Sequence, residues 1–282
     1  MKAYTYHQKK HSAITFFKVI LALTIILCFK TGYSQDIAKE IRDTLKHKRV
    51  IYKLNPAVDV PIVAGSALWC AYAGTHVYTK GPSTSAQILA LSPNDVDPLD
   101  RWAIRPYDRA MDRFSYYQFY GSFALPVIFF ACDPKMRSDF FKLSFLYMEA
   151  LSTTGFVGYS ATYFVNQYRP YAYSSSTPMP QREVQNAKNS FYAGHVEIAA
   201  VTSFFLATVY ANYHPHSKIK WLGFTLAGLS TAGMGYMRLE AGMHFPSDIL
   251  LGAATGTLSG ILVPYFHCHK LVKNNSINVV IN

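Results

Sequence analysis

Six charge-poor stretches constrain this chain more than any other feature. They are residues 60–79, 114–132, 150–168, 198–217, 221–237 and 249–269, and polar loops separate them. Each is close to the roughly 17–25 residues that a helix needs to cross a bilayer. Small residues recur inside them, as in GFTLAGLSTAGMG and GAATGTLSG, and close helix packing in lipid uses such residues. The reading is an all-α fold, a six-helix transmembrane bundle. The alternative is a soluble all-α bundle with deeply buried helices, because the stretches also hold Ser, Thr, Tyr and Gly. Only 15% of the 282 residues are charged and 50% are apolar, which excludes a disordered chain. The four cysteines contain no Cys-x-x-Cys pair, so a disulfide scaffold is excluded as well.

A signal segment precedes the bundle. Residues 1–34 contain Lys2, Lys9, Lys10, Lys18 and Lys30 and no acid. An apolar run, VILALTIILCF, follows the first lysines, and Gly32 and Ser34 then occupy the −3 and −1 positions of a cut before Gln35. That is the secretory pattern, cleaved or kept as an anchor. Residues 35–56 read as an amphipathic segment, 57–269 as the membrane domain and 270–282 as a tail. Five of the net +11 charges lie in residues 1–34, and the modest +6 of the remainder suits an anionic substrate or lipid surface. No basic stripe interleaves with polar residues and no recognition motif is present, so nucleic acid is excluded as a partner.

Three short clusters at the ends of the apolar stretches carry chemistry. They are Arg169-Pro170; Ser190-Phe191-Tyr192-Ala193-Gly194-His195; and Arg238 through Gly242, His244 and Pro246 to Asp248. If the helices pack as a bundle, the clusters meet at one membrane face. Arginine presents a planar fork of donors to phosphate oxygens. His244 and Asp248 are four residues apart, which is one helix face. Asp248 can then accept the Nδ1 proton of His244 and leave Nε2 as a nucleophile. His195, at a helix start, can serve as general acid. Gly194 lets backbone N–H groups approach an anion at that helix N-terminus. Two arginines, a histidine nucleophile and a histidine acid describe phosphoryl transfer that needs no metal or other cofactor. His267-Cys268-His269 lacks the spacing of a helical ligand pair and has no carboxylate nearby in sequence, so it is set aside as a metal site. Glu149, Glu197 and Glu240 lie near the spans, where an ionisable group is costly and either paired or functional.

The order and spacing of these clusters resemble the type 2 phosphatidic acid phosphatase superfamily. Its pattern runs Lys-x6-Arg-Pro, then Pro-Ser-Gly-His, then Ser-Arg-x5-His-x3-Asp. Arg169-Pro170, Gly194-His195, Arg238, His244 and Asp248 match it, with Gly242, Pro246 and Gly252 in the accompanying places. The resemblance implies a metal-independent phosphatase acting through a phosphohistidine on a lipid phosphate monoester or diphosphate, or on a small phosphate ester. His244, His195 and Asp248 would be catalytic, and Arg169, Arg238 and Gly194 would bind phosphate. Three positions depart: Thr162 stands where the family has Lys, Ala193 where it has Ser, and Met237 where it has the Ser before the arginine. Lys188 is a candidate replacement cation. The departures keep open an impaired anion-binding protein, and a transporter-like bundle is the third reading. The expected location is a bacterial-type inner membrane. Loop Lys and Arg residues place 35–56 inside and the clusters outside, whereas signal cleavage followed by six spans predicts the reverse.

Overall fold

A computed structural model describes residues 51–268. The signal segment, most of the amphipathic segment and the tail lie outside the described residues. Among the described residues six helices are long: α1 Pro56–Tyr78, α2 Arg109–Cys132, α3 Phe140–Phe164, α4 Gly194–Tyr213, α5 Ile219–Glu240 and α6 Pro246–His267. Short single-turn helices fill the loops, and β pairing among the described residues is limited to the isolated bridges Tyr52–Cys268 and Gln167–Asn189. Each apolar stretch falls largely on one long helix. The third differs most, since α3 starts at Phe140 rather than 150. Charge does not break that helix: Lys142 pairs with Asp139 at 2.9 Å, and Glu149 lies buried beside His267. Pro61 sits inside α1 without ending it, as prolines do in helices whose neighbours support them.

α4 is the central helix and packs on α2, α3, α5 and α6, while α1 packs on α3. The main core joins Phe130 of α2, Leu143, Leu146 and Tyr147 of α3, and Val201, Phe205 and Val209 of α4. The tightest seam is α4 on α6. Gly252, Gly256 and Gly260 recur along α6 at one face, and a Cβ on any of them would strike the backbone of α4. Large apolar side chains such as Leu68, Trp221, Leu229, Leu250 and Phe266 face outward, a surface too greasy for water. α1, α4 and α6 are long and apolar enough to cross a membrane. α2, α3 and α5 match them in length but carry more charge near their ends.

Candidate functional site

Loops at one end of the bundle hold the site. The chain leaves α3 and runs beside residues 187–190: Ser190 N donates to Gln167 O at 3.0 Å and Arg169 N to Ala187 O at 2.8 Å. Tyr171 N then donates to Gly242 O, which ties the first cluster to the third. α5 stops because Gly242 takes φ +68°, a conformation that suits glycine. Met243 N reaches back to Arg238 O, closing the helix end. A Cβ at Gly242 would also press on the carbonyls of Arg105 and Pro106. The turn delivers His244 two residues before α6 begins at Pro246.

The His244 ring is held from both sides. Nδ1 lies 2.7 Å from the Ser190 carbonyl. A carbonyl only accepts, so Nδ1 carries the proton and Nε2 keeps its lone pair. Arg169 Nη1 donates to that Nε2 at 3.1 Å and to Met243 O at 2.8 Å. Asn186 fixes the rest of the fork, taking Nε on its carbonyl at 2.8 Å and Nη2 on Oδ1 at 3.2 Å. All four contacts of Arg169 are to neutral acceptors, so its charge is uncompensated. Burial, then Arg169, Arg238 and His195, push the His244 pKa well below the usual histidine range. His244 is therefore neutral at pH 7.

Asp248 departs from the expected geometry. Its Oδ2 is 4.0 Å from His244 Nδ1, too far for a hydrogen bond, and Ser190 O holds the proton instead. The i, i+4 rule applies within a helix, and His244 precedes this one. Asp248 Oδ2 accepts from Ser190 Oγ at 2.6 Å and from Phe245 N at 3.0 Å. It thus caps α6 and fixes the residue that orients the histidine. Arg238, His244 and Asp248 are 1%, 2% and 0% exposed.

α2 supplies the far wall, which the sequence reading missed. Arg238 Nη1 donates to Asp112 Oδ1 at 2.6 Å and to Ser115 Oγ at 2.9 Å. Tyr107 OH donates to the other oxygen of Asp112. His195, in the first turn of α4, is held between the rings of Tyr116 and Phe119, at 4.8 and 4.5 Å between centroids. Among the described residues, His195 Nε2, Arg238 Nε and Asp248 Oδ1 are buried without a hydrogen-bond partner. Such orphans are rare without a ligand or water. Gly194 opens α4, and a Cβ there would meet nothing within 4 Å. The first-turn amides of α4 are ones that helix geometry leaves over.

The other candidates resolve into local partners. Glu240 pairs with Arg105, and Glu197 accepts from Tyr192 OH. Lys188 donates to Gly81 O on the surface. Lys80 instead reaches position 162, donating to the Thr162 carbonyl at 2.7 Å. Thr162 turns its own hydroxyl to Gly158 O, and Ala193 is fully buried.

Residues 141–270 match the sequence model of the PAP2 superfamily. That segment belongs to the PAP2 superfamily. It contains all three clusters, whereas α1 and Asp112 lie outside it. No curated protein matches the chain. Among solved structures, it is similar to a transmembrane PAP2 type phosphatidylglycerolphosphate phosphatase from Bacillus subtilis, at 19% identity, over 73% of this chain and 96% of that one, with a TM-score of 0.43.

Proposed function

We propose that this PAP2 protein hydrolyses a phosphate monoester or diphosphate of a lipid through a phosphohistidine. The observation that carries the reading is the buried Arg169 guanidinium, in hydrogen-bond contact with neutral acceptors only, against the Nε2 lone pair of a neutral His244. An entering phosphoryl group takes over the Arg169 fork. That places phosphorus beside Nε2, with Arg238 and the first turn of α4 on its other oxygens. Nε2 attacks and the bond to the leaving oxygen breaks. His195, charged on entry of the dianion, gives that oxygen its proton. Ser190 O stabilises the proton left on Nδ1, and Asp248 acts through Ser190. Water then attacks the phosphohistidine and releases phosphate. The donors stabilise charge as it shifts to the equatorial oxygens.

The setting goes with the reading: a helical bundle embedded in an inner membrane, with the site facing outward as the loop charges favour. A second reading, an anion-binding protein with weakened or lost catalysis, is favoured by Thr162 and Ala193. Ala193 has no side-chain donor and Thr162 turns its hydroxyl to Gly158 O, so each forgoes a contact to a charged phosphate worth about 1.5–3 kcal/mol. Phosphate release by purified protein over a panel of phosphatidate, isoprenyl diphosphate, lipid A and soluble esters separates the two. The phosphatase reading expects turnover that persists in EDTA and falls by about 10⁴ or more in His244→Ala. Binding without turnover on every substrate supports the second.

A further inference from the structure

The end of the bundle away from the catalytic loops carries a second cluster of functional groups. Asp59 of α1, Glu149 of α3 and His267 of α6 each offer one ligand atom, and these atoms lie within 4.8 Å of one another. Asp248 opens α6 and His267 ends it. At about 1.5 Å per residue the two are roughly 28 Å apart, close to the thickness of the hydrocarbon core. The sequence had set His267 aside because no carboxylate lies near it in the chain; the fold brings two.

We infer that Asp59, Glu149 and His267 form a binding site for a divalent transition cation, best Zn²⁺, which ties α1 to α3 and α6. The tautomer is the first argument. His267 Nδ1 lies 2.8 Å from the Val263 carbonyl, so Nδ1 donates and the Nε2 lone pair faces the two carboxylates. A lone pair facing two anions requires a cation or a proton between them. Backbone carbonyls fix ligating histidines in this way.

The distances also fit a metal. Nε2 is 3.3 Å from Asp59 Oδ1 and 3.6 Å from Glu149 Oε2. A charge-assisted N–H···O bond is shorter, about 2.7–2.9 Å. Ligands held about 2.0–2.2 Å from one tetrahedral zinc lie roughly 3.4 Å apart. Glu149 is 5% exposed, and its Oε2 is buried with no hydrogen-bond partner among the described residues. It is an orphan aimed into the cluster. Asp59, 4% exposed, is oriented by Asn55 N, which donates to its Oδ2 at 2.6 Å. Two carboxylates and a neutral imidazole also balance a divalent charge, which a low-dielectric setting requires.

A cavity of about 560 Å³ adjoins the cluster on one side, lined by His267 and by Asn55, Lys53, Phe266 and Cys268.

The test uses the detergent-purified full chain. After dialysis against trace Zn²⁺, elemental analysis should find one zinc per chain, and added Zn²⁺ should raise the thermal midpoint of the metal-stripped protein. Glu149→Gln and His267→Gln should each lose more than about tenfold in Zn²⁺ affinity, while His244→Ala keeps the metal. Should a cluster variant fail to fold, the zinc content and midpoint shift of the unaltered chain still decide. Absence of bound zinc and of any shift would overturn the site, leaving the cluster a proton-bridged ion pair. Zinc retained in both cluster variants would overturn the assignment of ligands. Turnover at the catalytic end does not enter either outcome.

Discussion

His244 is a histidine kept neutral by its surroundings, and that has a measurable cost in acid. Burial and the positive neighbours depress its folded pKa well below the 6.5 of a free side chain. Between the two values the unfolded chain binds the proton and the folded chain does not. Stability therefore rises with pH through that window and gains nothing further above it. The sign is opposite to that of a paired histidine. His244→Gln removes the titration, so its thermal midpoint relative to the parent should be more favourable at pH 5 than at pH 8. An equal difference at both values would mean that folding leaves the His244 pKa unshifted, and a difference of the opposite sign that His244 is held protonated in the fold. The identities of His244, His195, Arg169 and Arg238 were legible because the clusters keep their order and spacing. Their contacts were not. Asp112 meets Arg238 across 126 positions of sequence, and nothing in its mixed-charge loop marks it. Ser190 was visible only as part of a lead-in, yet its carbonyl holds the His244 ring.

Between elements, the glycine seam of α4 and α6 sets the distance between His195 and the His244–Asp248 turn. Ala193 N donates to Asp248 O at 3.3 Å, so the two helix starts are joined directly. A methyl at Gly256 would meet the Glu197 carbonyl and come within 2.8 Å of Ala200 Cβ. Backbone cannot yield as a flexible side chain can, so Gly256→Ala should destabilise by about 1–3 kcal/mol and lower the thermal midpoint. Gly233→Ala on α5 is the control. There a methyl meets nothing within 4 Å, and the midpoint should not fall. Equal behaviour of the two variants would show that α4 and α6 are less closely joined. The seam was partly legible, as small residues inside an apolar stretch. The bounds of α3 were not, because Lys142 and Glu149 break a charge-free window and leave the helix intact.

Across the whole molecule, the two ends of the bundle do different work. One end gathers loops from three helix junctions around two buried arginines and two histidines, and the other gathers two acids and a histidine from three helices. The apolar stretches placed the helices, and the motif clusters, at the ends of those stretches, meet at one end of the bundle. Pairing across the far end depends on tertiary register, which no local pattern encodes. Whether Nε2 of His244 takes the phosphoryl group is decided by brief reaction with a ³²P-labelled substrate, followed by alkaline denaturation and peptide mapping. An acid-labile, alkali-stable phosphoryl group is expected on His244, accumulating in His195→Asn given a good leaving group and absent in His244→Ala. Turnover without label on His244, or label on another residue, would contradict it.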